Sequence, residues 1–486
     1  MKKIIAFVIS FLLLVALSVT AFAETLPYEN YTYSEKDGSV ILNPDAYVPA
    51  TVIYGTDWPT KPLLAPSDMD TDKNGEFYIL DAGNARVVVL DEKLSYKAEF
   101  SLNRTDASGE EIKPNAPKGI TVFEDSFYIC DTAGGRILIY SKTDGELIGK
   151  IDAPTSRLLG EDFMFQPTKV AVDSKGNLYV VSNGTFEGII NMDPEGEFKG
   201  FFGTNKVTSS AWDIFWRKFS SVKQRKTMEQ LIPQDFSSID LDADGFFLIT
   251  TYTVQNDSMV KKVNQGGVNI LRSKSNVAIA GDPAKVMKGT LSGNSSFIDI
   301  SSGPHKIYAC LDRTRGRVFC YNNEGYLLYS FGTLAAQTGG FKTPVAVSYL
   351  SGSDIAVLDG ENSSVTVFTA TEYGETINLG VEDYNDLEYE AAAEHWEKVL
   401  TLNRNYQLAA DMMGRYYFSG GDYKTAMTYF ERTDNREMYS EAKEALRTAW
   451  VYENSWIIVM TVVLVLLLFA SGPVMQIVRK YKANKR

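Results

Sequence analysis

The chain has 486 residues and a formal net charge of −13, with 48 basic and 61 acidic residues. An acidic surface repels nucleic acid and anionic membranes, so the composition argues against a partner bound through its phosphates. The 37 glycines and 27 tyrosines indicate a body rich in turns and strands, and the length allows two or three domains.

Residues 1–23 have the three parts of a secretory signal peptide. Two lysines precede an apolar run from Ile4 to Val19, which ends in a small-aromatic-small exit at residues 21–23. This order is typical of a leader that is removed on export, and cleavage would leave Glu24 as the first residue. The alternative is an uncleaved signal anchor. Both interpretations place the following residues outside the cell.

A unit of about fifty residues repeats six times between residues 24 and 370. Each copy contains short runs of apolar and β-branched residues, separated by Gly, Asp or Asn turns, which is the pattern of consecutive hairpins. Six units of four strands predict a six-bladed β-propeller, in which ring closure removes exposed sheet edges. The three clearest copies span residues 66–87, 117–140 and 167–181, and weaker copies span 239–249, 298–319 and 344–368.

An Asp followed five residues later by an Arg marks several copies. The pairs are Asp81 with Arg86, Asp131 with Arg136, and Asp312 with Arg317. This pattern resembles the NHL repeat, which forms propeller blades, and the resemblance covers roughly residues 50–370. It implies that the pair is structural and ties the loop after the second strand of a blade.

The N-terminal part of the propeller contains a candidate closing strand. Several blades end in an apolar residue followed by Gly, but the sixth blade has no such ending of its own. The same ending occurs before the first blade, at Tyr54 and Gly55. We therefore expect residues 50–55 to supply the outer strand of the last blade.

A helical insertion is predicted at about 208–232, between the third and fourth blades. Its apolar residues recur at i, i+3, i+4 and i+7, which places them on one face of a helix. They can pack on the propeller rim, or they can contact a partner or a membrane surface. The four candidate contact residues are Trp212, Phe215, Trp216 and Phe219.

Residues 373–450 change to a helical period. Gly380 and Trp396 are followed 34 residues later by Gly414 and Phe430. This spacing resembles the tetratricopeptide repeat, and it implies two helical repeats followed by a capping helix. The acidic face of the first repeat is either a solvated surface or a docking surface for a basic partner.

Residues 456–478 carry no charge, and a helix of this length can cross the hydrocarbon core of a bilayer. The tail 479–486 is basic, and positive charge next to a span favours the cytoplasmic side. We therefore predict a single-pass protein of the cell membrane, with the N-terminal domain outside.

The three cysteines lie in predicted strands at Cys130, Cys310 and Cys320. They read most simply as small buried apolar residues. A bridge between Cys310 and Cys320 is the alternative, and its formation depends on geometry that the sequence does not contain.

No catalytic motif occurs in the chain. The two histidines, His305 and His395, fall in different predicted domains, which argues against a shared metal site or a Ser-His-Asp triad. We assign no catalytic, cofactor-binding or metal-ligating residue. Six-bladed lactonases resemble the predicted architecture and hold calcium with inner-strand oxygens. The chain has many acidic residues that such a site could draw on, among them Asp68, Asp173, Asp240 and Asp299. One sequence does not place them together, and carboxylates at blade turns are more often turn formers.

The order of propeller, helical repeats and anchor resembles envelope proteins of Gram-positive bacteria. That resemblance implies a non-enzymatic binding or scaffold protein with a protein partner in the same membrane, such as a sugar importer. The ligand, whether a small molecule or a glycan, stays open. The alternative is a calcium-dependent hydrolase of the lactonase type.

Overall fold

A computed structural model describes residues 26–484 except 57, 107, 161–162, 186, 204–235, 256–257, 273–276 and 284–292. The predicted signal peptide at 1–23 therefore lies outside the described residues, as does the whole of the predicted insertion at 208–232. The chain divides into two compact units: Met1–Tyr31, Pro44–Ser273 and Ala278–Glu375 form the first, and Thr32–Asn43, Lys274–Val277 and Thr376–Arg486 form the second.

The first unit is a six-bladed β-propeller, as predicted. Each blade is a separate antiparallel sheet whose strands follow one another from the central channel outward. Blade 1 consists of β4 Asp68–Thr71, β5 Phe77–Asp81, β6 Arg86–Leu90 and β7 Tyr96–Ser101, and blade 2 of β10 Pro117–Phe123, β11 Ser126–Asp131, β12 Arg136–Ser141 and β13 Leu147–Ile151. Blade 3 consists of β14 Pro167–Val172, β15 Leu178–Ser182, β16 Ile189–Met192 and β17 Phe198–Phe202, and blade 4 of β18 Phe236–Leu241, β19 Phe247–Gln255 and β20 Ser258–Val263. Blade 5 consists of β21 Phe297–Ser302, β22 Tyr308–Asp312, β23 Arg317–Tyr321 and β24 Leu327–Phe331, and blade 6 of β27 Pro344–Tyr349, β28 Ile355–Asp359, β29 Ser364–Ala370 and β3 Tyr47–Tyr54.

Shorter strand pairs complete the β structure of the described residues. They are β1 Asn30–Tyr33 with β2 Val40–Asn43, β8 Arg104–Thr105 with β9 Glu111–Ile112, and the parallel pair β25 Thr333–Leu334 with β26 Gly340–Phe341.

Burial along each blade explains the repeated sequence pattern. In blade 1, the two middle strands β5 and β6 are buried at every position, because neighbouring blades cover both of their faces. The outer strand β7 alternates between half-buried and exposed residues. Apolar clusters fill the spaces between blades, and one of them joins Ile79 of blade 1 to Leu358 of blade 6.

The sixth blade is closed by β3, which we call the clasp strand. It pairs antiparallel with β29, and Tyr54 lies opposite Ser364 at one end while Tyr47 lies opposite Ala370 at the other. The strand spans residues 47–54 and so begins three residues earlier than the predicted 50–55. It occupies the outer position of the last blade, as predicted.

Blade 4 departs from the four-strand pattern in the described residues. Its sheet contains β18, β19 and β20. In place of a fourth regular strand, the chain touches β20 at single points, where Asn269 bridges Val263 and Ile279 bridges Ser258.

The Asp–Arg pairs tie loops in two blades and act differently in a third. Arg86 Nε lies 2.7 Å from Asp81 Oδ2, and the corresponding distance from Arg136 to Asp131 is 2.8 Å. Arg317 instead donates to the carbonyl of Glu29 at 2.6 Å. An N-terminal segment packed on blade 5 therefore replaces the partner that the repeat pattern predicts.

The second strands of blades 1, 2, 5 and 6 each end in an Asp with a shared function. Its carboxylate accepts the N–H of a residue in the loop that leads into the inner strand of the same blade. The donor residues are Leu64, Asn115, Ser296 and Thr343 for Asp81, Asp131, Asp312 and Asp359, respectively. These contacts account for the recurrence of Asp at this position.

Six helices follow the propeller: α1 Glu372–Asn385, α2 Tyr389–Leu402, α3 Gln407–Ser419, α4 Tyr423–Thr433, α5 Arg436–Glu453 and α6 Ser455–Ala483. A Cβ on Gly380 would lie 3.0 Å from the Trp396 ring, and one on Gly414 would lie 2.6 Å from the Phe430 ring. Glycine at both positions therefore lets consecutive helices approach over a buried aromatic residue. The tetratricopeptide assignment itself stays a prediction.

Helix α6 contains the whole of the predicted span 456–478. Among the described residues it is the one helix long and apolar enough to cross a membrane. Only Asn454 separates it from α5, and the Asn454 Nδ2 donates to the Trp450 carbonyl at 2.8 Å.

All three cysteines are buried and unbridged. Cys310 lies opposite Phe319 on the neighbouring strand, whereas Cys320 lies opposite Ala309. Since side chains alternate along a strand, the two thiols point to opposite faces of the blade. The bridge that the sequence left open is therefore not formed, and the interpretation as buried apolar residues is confirmed.

Deleting the clasp strand, residues 47–54, should abolish cooperative unfolding of the detergent-solubilised chain. The deletion leaves β29 as an unpaired edge and exposes Val365 and Val367, which are at most 3% exposed in the intact blade. Thermal unfolding followed by circular dichroism checks this. The control, Thr51→Ala at an exposed position of the same strand, should melt within about 2 °C of wild type. A deletion variant that melts cooperatively near the wild-type temperature would show that the ring does not need this strand.

Candidate functional site in the propeller channel

Two layers of polar side chains line the channel. They lie two residues apart along the inner strands, so that both layers project on the same side. We call the first the lysine layer; it consists of Asp68, Lys169, Ser238 and Asp299. We call the second the aspartate layer; it consists of Asp70, Thr121, Ala171, Asp240, Ser301 and Ser348.

The lysine layer joins alternate blades through one ammonium group. Lys169 Nζ lies 2.6 Å from Asp68 Oδ1 of blade 1 and 2.8 Å from Asp299 Oδ1 of blade 5. The Ser238 hydroxyl of blade 4 donates to Asp299 Oδ1 at 2.8 Å. Both carboxylates are at most 1% exposed. Four of the six blades therefore meet in one buried network.

Charge balance keeps this network stable at neutral pH. Burial raises the pKa of Asp68 to about 6, while the Lys169 ammonium opposes the shift and the Asp299 carboxylate adds to it. Burial acts to lower the pKa of Lys169, but the carboxylates of Asp299 and Asp68 outweigh it and raise this pKa above its ordinary value. The lysine thus stays charged, as a buried ion pair requires.

The aspartate layer places two carboxyl groups on opposite blades. Asp70 of blade 1 accepts the N–H groups of Thr71 at 2.8 Å and Val122 at 2.7 Å. Asp240 of blade 4 repeats this arrangement, and it accepts the N–H of its own neighbour in β18 and that of Ser302 at 2.6 Å.

The two carboxyls of this layer resist ionisation. Burial raises the pKa of Asp70 to about 8; the Val122 N–H opposes the shift and the Asp240 carboxyl adds to it. Burial also raises the pKa of Asp240. A desolvated carboxyl favours its neutral form, so Asp70 is largely protonated at neutral pH.

Side chains of both layers also join the inner strands of blades 1, 4 and 5 to the next blade. The inner strands of neighbouring blades belong to separate sheets, so that some of their N–H groups need acceptors other than a sheet partner. The acceptor and donor pairs are Asp68 with Ile120, Asp70 with Val122, Asp240 with Ser302, Asp299 with Val347, and Ser301 with Tyr349. The channel aspartates therefore hold the ring together.

A cavity of about 370 Å³ occupies the channel on the side of the aspartate layer. Lys169 belongs to its lining, whereas Asp68 and Asp299 lie beyond it. The ion-paired lysine thus forms the floor. Seven residues of the lining carry hydroxyl groups, namely Thr71, Thr121, Ser174, Ser301, Ser302, Ser348 and Tyr349.

The four aspartates named for the calcium alternative do not converge. Asp68 and Asp299 share Lys169, and Asp240 lies in the other layer. Asp173 forms a hairpin turn, where it accepts the N–H groups of Lys175 and Asn177 at 2.8 and 2.9 Å. Across the part of the chain that the structure describes, no three His, Cys, Asp or Glu side chains are grouped to hold a metal ion. These residues do not fit a calcium centre.

The histidines and the aromatic stripe lie elsewhere. His305 lies within a short 3-10 turn, Pro304–Lys306, with its Nε2 3.5 Å from Ser353 Oγ. His395 Nδ1 lies 2.7 Å from Asp383 Oδ2 on the helices. Neither histidine lines the cavity. Trp212 and the rest of the predicted contact stripe lie outside the described residues, so that their role stays a prediction.

Sequence reasoning did not identify Lys169 or Asp70. The available signal was the alignment of the inner strands, where polar residues occupy the third and fifth positions of several copies. Charged residues at the centre of a closed β ring are unusual unless they are paired.

The fold defines a protein class: a six-bladed β-propeller followed by six helices, the last of them apolar. No family model matches the chain, and no curated protein matches it. Solved structures do align with it. Virginiamycin B lyase from Staphylococcus aureus aligns at 11% identity and a TM-score of 0.41, covering 66% of this chain and 98% of that one.

Two further solved structures align with the chain at a similar level. Hydrazine synthase from Kuenenia stuttgartiensis aligns at 11% identity and a TM-score of 0.37, over 65% of this chain and 98% of that one. A protein of unknown function from Bacteroides thetaiotaomicron aligns at 12% identity and a TM-score of 0.40, over 71% and 76%. Likeness at this level carries no argument about activity, ligand or membership of the NHL family.

Replacing Lys169 with Met should destabilise the protein by about 3–5 kcal/mol at pH 7, because two buried carboxylates lose their shared cation. The loss should shrink as the pH falls. A carboxyl whose folded-state pKa is raised loses stability as the pH rises through that value and regains it on acidification. Chemical denaturation at pH 5 and pH 7 measures both effects.

The matched control is Lys150→Met, at an exposed position of β13, which should change stability by less than about 0.5 kcal/mol. Adding Asp68→Asn and Asp299→Asn to Lys169→Met should recover much of the loss. Equal stability of the Lys169 and Lys150 variants at pH 7 would refute the assigned role of the lysine.

Proposed function

We propose that this chain is a membrane-anchored binding and scaffold protein whose propeller lies outside the cell. The observation that carries the proposal is the cavity in the propeller channel, which Lys169 helps to line. Its volume of about 370 Å³ falls in the range of small-ligand sites.

The chemistry of the lining favours binding over hydrolysis. Hydrolysis needs an activated nucleophile beside a base, with donors placed for the developing negative charge. The backbone N–H groups at Asp70 and Asp240 are already used by these carboxyls. The calcium-dependent hydrolase, which was the alternative from the sequence, also lacks converging ligands among the described residues.

Helix α6 supports the anchor. Its 29 residues extend about 44 Å at the rise of an α-helix, which exceeds the hydrocarbon core of a bilayer. The basic residues of the last turn and tail favour a cytoplasmic C-terminus. The signal-peptide pattern of residues 1–23 favours the same orientation.

The partner we propose is a protein in the same membrane. The single residue between α5 and α6 leaves no flexible tether between these two helices, which suits contacts within one membrane plane. The stripe of Trp212, Phe215, Trp216 and Phe219 is the proposed contact surface. A transport assembly such as a sugar importer is the kind of partner that the resemblance implies.

Orientation can be tested with single introduced cysteines. The three native cysteines are buried and should not react with a membrane-impermeant maleimide. We expect Ser108→Cys, at an exposed position of the β8–β9 hairpin, to label in intact cells. Ala483→Cys, at the exposed end of α6, should label only after the cells are made permeable. The reverse pattern would exclude the proposed orientation.

The partner contact can be tested by crosslinking and affinity capture from membranes in mild detergent. Wild type should co-purify with a multi-spanning membrane protein, and the double variant Trp212→Ala/Trp216→Ala should recover about tenfold less, because buried Trp anchors dominate interface energies. The matched control is Leu158→Ala, which changes an apolar side chain that is 68% exposed. This variant should capture the same amount of the membrane protein as wild type does. Recovery of the isolated chain alone from wild-type membranes would refute the scaffold role.

A further inference from the structure

The two layers of the channel differ in one respect that bears on ligand chemistry. In the lysine layer, an ammonium group lies between carboxylates from two blades. In the aspartate layer, Asp70 and Asp240 also face the channel from two blades, and no described Lys or Arg pairs with either. Apart from these two aspartates and Lys169, whose ammonium group is paired with Asp68 and Asp299, the residues of the cavity lining carry no formal charge.

The difference arises from two residues of one strand. Lys169 and Ala171 both belong to β14 and lie two residues apart, so that their side chains project from the same side of the strand. The Lys169 side chain fills the lysine layer, whereas the methyl group of Ala171 leaves the corresponding space in the aspartate layer to the cavity. Both residues line that cavity.

The wall of the cavity offers mainly acceptors. Carboxyl oxygens and hydroxyl lone pairs accept hydrogen bonds, and several hydroxyls already donate to protein atoms. Ser302 Oγ donates to the Leu241 carbonyl at 3.1 Å, and Ser348 Oγ donates to the Tyr349 carbonyl at 3.1 Å. A ligand that complements this wall carries several donors and a positive charge.

We propose that the channel cavity binds a small polyhydroxylated molecule with a primary ammonium group, which the carboxylates of Asp70 and Asp240 recognise. Charge-assisted hydrogen bonds of this kind are stronger than neutral ones. The inference names a ligand class for the binding function proposed above, and it therefore rests on that function.

Binding of a cation here should be coupled to proton release. Asp70, whose pKa burial raises to about 8, must ionise to pair with the ammonium. The groups around it are Asp68 on its own strand, Lys169 on blade 3, Asp240 on blade 4 and Asp299 on blade 5. Blades 2 and 6 present Thr121, Ser348 and Tyr349, and burial raises the pKa of Tyr349 well above its ordinary value. Between pH 6 and pH 8, both Asp68 and Asp70 gain negative charge. Asp68 is already paired with Lys169, so that Asp70 is the one of the two whose new charge is left for the ligand.

The test is isothermal titration of the detergent-solubilised full chain with glucamine and sorbitol. These two hexitol derivatives differ only in an ammonium group in place of one hydroxyl. We expect glucamine to bind at least about tenfold more tightly than sorbitol at pH 8, which corresponds to about 1.4 kcal/mol. The glucamine affinity should fall between pH 8 and pH 6, because Asp70 then holds its proton, and binding should release protons to the buffer.

Asp70→Asn and Asp240→Asn should each weaken glucamine binding by about tenfold, because each removes a negative charge from the cavity, and should reduce the preference for glucamine over sorbitol. Asp152→Asn is the control, since its side chain is 69% exposed on the surface. Thermal unfolding of each variant establishes whether it is folded. Because the two aspartates are changed separately, the test still works if one of the two variants does not fold. Equal affinity for the two probes, no glucamine binding by wild type, or full binding by both folded Asn variants would overturn the inference.

This result is separable from the scaffold role. If the membrane partner is still captured while glucamine does not bind, the ligand assignment alone fails. If glucamine binds and no partner is captured, the cavity assignment stands without the scaffold.

Discussion

The propeller depends on one buried ammonium group. Lys169 reaches from blade 3 to carboxylates of blades 1 and 5, so that a single side chain fixes three alternate blades at the axis of the ring. Desolvating such charges costs several kcal/mol per ion, and only short contacts with further hydrogen bonds offset that cost. The hydroxyl of Ser238 and the N–H groups of the next blades supply these bonds. The floor of the cavity is a result of the same contacts.

Stability and binding chemistry are therefore combined in the same positions. Asp70 and Asp240 accept N–H groups from the next blade and also face the cavity. Neither can change without affecting both the joint between blades and the charge of the site. The apolar clusters between blades carry no charge, although some of their members, such as Ile120 and Val170, also line the cavity.

The architecture was predictable because it rests on local periodicity. The sequence shows the alternation of strand residues, the turn residues and the repeated pair of a glycine and an aromatic residue, first at Gly380 and Trp396. It also shows that the sixth blade lacks an outer strand of its own. The channel was not predictable in this way. Whether Lys169 meets Asp68 or points to solvent depends on how strands a hundred residues apart are arranged around an axis, and one sequence does not contain that arrangement. The aspartates illustrate the ambiguity, since Asp173 is a turn former while Asp240 lines the cavity.

Two local departures have tertiary causes. Arg317 belongs to a regular Asp–Arg pair in sequence, yet the backbone of Glu29 captures its guanidinium, and no repeat pattern encodes a contact with a segment so far away. In blade 4 the chain after β20 meets its neighbour only through isolated bridges, although the middle strands of that blade keep the regular pattern.

The clasp strand has a consequence for the order of assembly. Tyr54 pairs with Ser364, about 310 residues later in the chain, so that the strand is synthesised long before its partner exists. Until then it is an unpaired edge that can join another chain. Pairing two strands so far apart in sequence is slow, because the chain between them loses conformational entropy before any native contact compensates for the loss. Blades 1 to 5 can form while the ring is open, and the last blade completes only when both ends of the propeller meet. A newly made chain therefore depends on protection of this strand from neighbouring copies during the interval.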